Sequence, residues 1–176
     1  EEQWTMDPEG EKGLQWMQYK GRGVAQWHDT EAEPGCLCEY TVIQVTGARR
    51  IFSMDARTGK PCPNFGDNGE LDVEPAMDAV PKVDNVDNLR TYFPPAIVGG
   101  SIIIGSVVGT KFKDANADSG AIFAFDVRTG KFKWYWDPVP RNPGDPEAKN
   151  WEPESLANTG GGNVWTYMSW DEERDL

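Results

Sequence analysis

One stretch of this chain is written twice. Ser53-Met-Asp-Ala-Arg-Thr-Gly-Lys60 returns as Ala124-Phe-Asp-Val-Arg-Thr-Gly-Lys131, with Asp55 and Asp126 71 positions apart and the Arg, Thr, Gly and Lys in register. A second echo relates Gln3-Trp-Thr-Met-Asp-Pro8 to Lys133-Trp-Tyr-Trp-Asp-Pro138. Self-similarity of this kind constrains a fold more than composition does, because each copy must be one structural unit. Ala121 to Val127 is apolar and rich in β-formers. Asp126 can accept backbone N–H groups across the turn that follows, and Gly130 supplies the positive φ a tight turn requires. The next strand alternates, with Phe132, Trp134 and Trp136 on one face and Lys131, Lys133 and Tyr135 on the other. Asp137-Pro138 ends it, since proline cannot donate to a continuing ladder. Each copy is therefore expected to be a β-hairpin with one aromatic face.

A lone hairpin cannot hide such a face, so copies must stack, and the all-β architecture that stacks sheets radially is the propeller. Helical evidence is thin: 19 Gly and 13 Pro punctuate almost every window, and only Asp171 to Leu176 has helical composition. Blades of this kind take about 40 to 50 residues, and closed propellers need about 4 to 8 of them. The expectation is an all-β partial propeller of about three to four blades, counting incomplete ones, taken from a longer protein. Residues 1–20 would end one blade, 21–69 form a second, 70–90 an acidic loop, 91–140 a third blade, 141–160 a proline-rich loop, and 161–176 begin a fourth. Both loops are read as solvated connectors. Trp4, Trp134 and Trp136 are read as blade-packing residues.

With a formal net charge of -12, the chain would repel phosphates at long range, and a nucleic-acid role is set aside. No run approaches the roughly 18 apolar residues of a membrane helix; the best, Ala96 to Gly109, is broken by glycine. Cys36, Cys38 and Cys62 lack the spacing and histidines of a zinc site. They leave open one bridge, from Cys62 to Cys36 or to Cys38, or ordinary half-buried thiols. His28, the one histidine, sits in a polar stretch and reads as exposed.

The motifs, in this order and spacing, resemble those of the pyrroloquinoline quinone dependent dehydrogenases, especially the membrane-associated glucose, polyol and quinate branch. They are Gly21-Arg22-Gly23-Val24 followed by Trp27, then Arg50-Ile51-Phe52, then Asp55-Ala-Arg-Thr-Gly-Lys-Pro-Cys62 with Phe65-Gly66-Asp67-Asn68-Gly69. Pro94-Pro95, Gly105-Ser106-Val107 and Gly161-Gly162-Asn163-Val164-Trp165 follow, leading to Asp171-Glu172-Glu173-Arg174. The resemblance implies an eight-bladed propeller whose funnel holds pyrroloquinoline quinone with Ca2+ or Mg2+ and oxidises a sugar or polyol hydroxyl. It implies a membrane quinone as electron acceptor and a periplasmic location, with any membrane attachment through a segment outside these residues. Carried over by motif, Arg22 faces the cofactor, its fork suiting carboxylate or quinone oxygens. Ser106 donates to a cofactor carboxylate, and Trp165 offers the indole face on which the flat quinone lies.

The sequence departs from that pattern in places. Ser53-Met54 follows Arg50-Ile51-Phe52 at once, so the blade at 21–69 is expected to lack a strand. The metal-binding acid expected beyond Ser106 is replaced by Val108, Gly109, Thr110 and Lys111, none a good calcium ligand, with Asp114 the nearest carboxylate. Tyr92 and Phe93 stand where the family has small hydroxyl residues. The catalytic aspartate and the metal ligands belong to blades beyond Leu176, so this chain alone is expected to be inactive. The competing reading is a non-catalytic propeller scaffold similar to an outer-membrane assembly lipoprotein, built from the same Asp-x-x-Thr-Gly turns.

Overall fold

Among the described residues, eight strands pair in chain order into two antiparallel sheets. A computed structural model describes residues 2–8, 23–80, 93–107, 119–140, 144–158, 162–171 and 173–174. The first sheet runs β1 (Ala25–His28), β2 (Tyr40–Val45), β3 (Arg50–Asp55) and β4 (Glu70–Asp72). The second runs β5 (Ala96–Val98), β6 (Ser101–Ile104), β7 (Ile122–Asp126) and β8 (Phe132–Trp136). Each is a four-strand meander of the size of one blade. Gly99 and Gly100, both at positive φ, close the two-residue turn between β5 and β6, the geometry that matches strand twist.

The two sheets share one apolar core. Ile43, Val45 and Ile51 of the first and Ile102, Ile104, Phe123 and Phe125 of the second belong to a single buried cluster, and β1 lies beside β5. β2 alternates half-buried and buried residues, as a strand with one covered face should.

Both repeats fold into the same turn. Asp55 Oδ1 accepts from Thr58 N and Thr58 Oγ1, each at 2.8 Å. Asp126 Oδ1 accepts from Thr129 N at 2.9 Å and Thr129 Oγ1 at 2.8 Å. Gly59 and Gly130 sit at φ 69° and 70° and donate back to the Asp55 and Asp126 carbonyls. Burial acts to raise the pKa of both aspartates, but the donors around them outweigh it and hold both below the ordinary carboxylate value.

Beyond the turn the copies diverge. Residues 21–69 hold three strands, with Arg50 to Asp55 unbroken, and the sheet is completed by a fourth at Glu70–Asp72, inside the stretch read as an acidic loop. The chain makes one bridge at Pro61, opposite Met54, then bulges outward and rejoins β3 with Glu70 opposite Phe52. The acidic stretch from 70 therefore opens with a strand. It continues as the helical turn α1 (Glu74–Met77), where Met77 and, just after it, Val80 enter the core. In the second copy β8 follows at once, with a register shift opposite Ala124/Phe125 that interrupts the expected alternation. Phe132 thereby pairs with Phe125, and Trp134 with Ala124.

Trp4 packs on the first turn, over Gly59 and with Nε1 donating to the Ala56 carbonyl, while Trp134 and Trp136 are exposed on β8, the last strand of the second sheet. Helix forms at α1, in a 3-10 turn (Pro146–Asn150) and in α2 (Pro153–Asn158), where proline falls in the first turn and has no N–H to waste. No helix forms among the described residues of 171–176. Cys38 and Cys62 form the disulfide, leaving Cys36 free.

Candidate functional site

In each meander the start of the first strand, the end of the second and the end of the fourth lie at one end of the sheet. The residues singled out by motif fall at this end. Gly23, leading into β1, approaches Pro94, leading into β5: a Cβ on Gly23 would lie 3.0 Å from the Pro94 ring. Arg22 lies outside the described residues, as do Asp114 and the segment from Val108 to Lys111.

Gly105 and Ser106 leave the end of β6 and meet the segment carrying Trp165. The Asn163 side chain donates from Nδ2 to the Ser106 carbonyl at 2.8 Å, and Asn163 bridges to Gly120 ahead of β7. Val164 passes so close over Gly105 that any side chain there would strike its carbonyl oxygen. Two motifs separated by more than 50 residues are thus one structural unit. Glycine at 105 is what lets the strands meet.

Ser106 is 1% exposed, and its Oγ has no hydrogen-bond partner among the described residues. Burying an unpartnered hydroxyl costs about 1–3 kcal/mol. Trp165, by contrast, is 58% exposed. Phe93 holds it edge-on, with ring centroids 6.5 Å apart and planes at 79°, and Phe93 meets Tyr167 in the same manner at 5.9 Å. An edge contact of this kind orients an indole while leaving a face open.

Gly23 with Pro94, Phe93 with Trp165 and Asn163 with Ser106 thus make three contacts at this end. Ser106 and Trp165 both lie at this end of the second sheet, on segments joined by the Asn163 bond. Asn163 and Phe93 had no role assigned from sequence; Asn163 sat unremarked inside a recognised motif, and Phe93 stood out as a departure from it. No group of three or more metal-ligating side chains occurs among the described residues.

The chain matches over residues 1–176 the family described as "PQQ: Glucose/ethanol/alcohol dehydrogenase, beta-propeller domain". It is 31% identical to the quinate/shikimate dehydrogenase (quinone) of Acinetobacter baylyi, over 77% of this chain and 16% of that protein. It is 30% identical to the quinoprotein glucose dehydrogenase of Gluconobacter oxydans, over 98% of this chain and 21% of that protein. The crystal structure of quinohemoprotein alcohol dehydrogenase from Comamonas testosteroni superposes with a TM-score of 0.57 at 26% identity, over 88% of this chain and 20% of that one. The chain spans about a fifth of the length of the curated relatives it matches.

Proposed function

Because the chain belongs to the PQQ-dependent glucose, ethanol and alcohol dehydrogenase β-propeller family, we propose that it supplies part of the cofactor-binding end of a quinoprotein dehydrogenase acting on a sugar or polyol hydroxyl. The observation that carries this is the pairing of a buried Ser106 hydroxyl, unpartnered among the described residues, with an exposed indole on the segment that Asn163 ties to Ser106. That pair suits a flat, oxygen-rich ligand, one residue offering a surface to stack on and the other a hydrogen bond in the plane.

Trp165 would lie beneath the quinone rings, with Phe93 fixing its tilt. Ser106 would donate its hydroxyl proton to a cofactor carboxylate, held in place by Asn163 through the Ser106 carbonyl. Arg22, which precedes Gly23 in the sequence, would bring a cation to cofactor oxygens. When bound, pyrroloquinoline quinone supplies the hydride acceptor, with Ca2+ or Mg2+ polarising it. The residues of this chain bind and orient; the base that takes the hydroxyl proton is a role we assign to other parts of the full-length protein. The membrane quinone acceptor and the periplasmic location follow the same reading. Among the described residues no helix is long and apolar enough to cross a membrane.

The scaffold alternative accounts for the Asp55 and Asp126 turns, but it leaves the Ser106 and Trp165 arrangement without a purpose. The test is dye-linked oxidation by the full-length protein, with and without pyrroloquinoline quinone plus Ca2+ or Mg2+, on glucose, glycerol, quinate and ethanol. Activity strictly dependent on the quinone, and reduced in Ser106→Ala, is expected. Absence of quinone-dependent oxidation on every substrate, together with no quinone binding, would return the chain to the scaffold reading.

A further inference from the structure

The opposite end of the sheets holds a second feature, unrelated to the quinone reading. A cavity of about 220 Å³ opens between the two sheets, with Cys36, Cys38 and Cys62 all on its wall. Cys38 and Cys62 are bridged, while Cys36, two positions from Cys38, is a half-buried free thiol. Thr41, 3% exposed, lines the same cavity, and its Oγ1 has no hydrogen-bond partner among the described residues. Arg57 donates to the Gly35 and Cys36 carbonyls, holding the Cys36 loop against the Asp55 turn.

We propose that Cys36 is an exchange thiol for the Cys38–Cys62 bridge. The Cys36 thiolate attacks Cys62 Sγ, the Cys36–Cys62 bond forms as the Cys38–Cys62 bond breaks, and the electron pair leaves on Cys38 Sγ. The proton lost by Cys36 is balanced by the one Cys38 takes up, so no oxidant or reductant is consumed. Moving the bridge by two positions barely changes the length of the closed loop, and closure entropy therefore does not separate the two isomers. Negative charge sits on the outer sulfurs during exchange, and Thr41 is a buried donor with nothing else to serve. The exchange reshapes the loop next to Asp29, whose carboxylate receives Arg128 of the second sheet at 2.6 and 2.7 Å. The bridge position would thus be felt at the joint between the sheets.

The experiment incubates the purified chain anaerobically at about pH 8, where thiolate is available, and quenches samples in acid over time. Labelling with N-ethylmaleimide in guanidinium follows, with peptide fragmentation between Cys36 and Cys38 to locate the label. Label on Cys38 should grow with time and be abolished in Cys36→Ser. Thr41→Val should slow it several-fold while the melting temperature holds or rises, since the orphaned hydroxyl is removed. Refolded in a glutathione redox buffer, Cys38→Ser should show no free thiol, because Cys36 and Cys62 pair. Label confined to Cys36 at every time, Cys38 labelling that persists in Cys36→Ser, or two free thiols in Cys38→Ser would overturn the proposal. An unchanged rate in Thr41→Val would remove Thr41 from it.

Discussion

The turn at Asp55–Lys60 and the turn at Asp126–Lys131 are the same object in two settings. Their internal hydrogen bonds agree within about 0.1 Å, yet what packs on them differs. Trp4 lies over Gly59 and donates from Nε1 to the Ala56 carbonyl at 3.0 Å. Over Gly130 there is no tryptophan. Phe65, fully buried, packs there instead, and Gly66 N donates to the Thr129 carbonyl at 3.0 Å. Position 63, which matches Trp134 in the repeat, is proline, and the bulge at 61–69 delivers the substitute ring. Both joints combine an aromatic over the glycine with one hydrogen bond to a turn carbonyl. The repeat preserves the socket, and the plug is free to vary.

The sharpest way to break the comparison is to remove each plug. Phe65→Ala should destabilise by about 3–5 kcal/mol, the usual cost of emptying a buried aromatic site, whereas Trp4→Ala, at a half-buried position, should cost about half as much or less. Chemical denaturation of both variants decides it; equal losses would mean the joints are energetically alike. Next comes the socket. Asp55 is fully buried and also accepts Cys38 N on Oδ2 at 2.8 Å, while the second oxygen of Asp126 faces Lys133 at 3.8 Å in partial exposure. Asp55→Ala should therefore cost about 3 kcal/mol, from several orphaned donors, and Asp126→Ala about 1 kcal/mol.

Below the Asp55→Ala loss, and comparable to that of Asp126→Ala, is the effect of a methyl in the socket. Gly130→Ala forces a left-handed backbone on alanine, costing about 1–2 kcal/mol. A Cβ at Gly59 would lie 2.6 Å from the Trp4 ring, so Gly59→Ala should additionally expose Trp4, visible as a red-shifted fluorescence. The smallest effect is pH dependence. Both aspartates have depressed pKa values when folded, so their contribution is fully present above the ordinary carboxylate value of about 3.9 and lost as pH falls through the folded values. Thermal midpoints should hold steady down to about pH 5 and decline below about pH 4. Asp55→Asn should flatten that decline more than Asp126→Asn.

The turn was legible in the sequence because its chemistry is local: an aspartate, a threonine three positions on and a glycine after it enforce one geometry wherever they occur. The fourth strand of the first sheet was not legible, since Glu70-Leu71-Asp72 is short and half-exposed and follows a bulge whose stabilising contact, Phe65 on Gly130, lies in the other sheet. The helical turns at Glu74, Pro146 and Pro153 were hidden for the opposite reason: proline punctuates loops and also opens helices. At the candidate site, Ser106 and Trp165 came from motif order. The Asn163 bond to the Ser106 carbonyl and the Phe93 edge contact depend on long-range placement that no local pattern encodes.

Fluorescence titration of the full-length protein with pyrroloquinoline quinone and Ca2+, comparing wild type with Trp165→Ala, tests the central claim most directly. The account predicts saturable quenching in the wild type, and in the variant a smaller quench with affinity weakened about tenfold or more, the scale of one lost stacking contact. Identical quenching and affinity in the two proteins would contradict it.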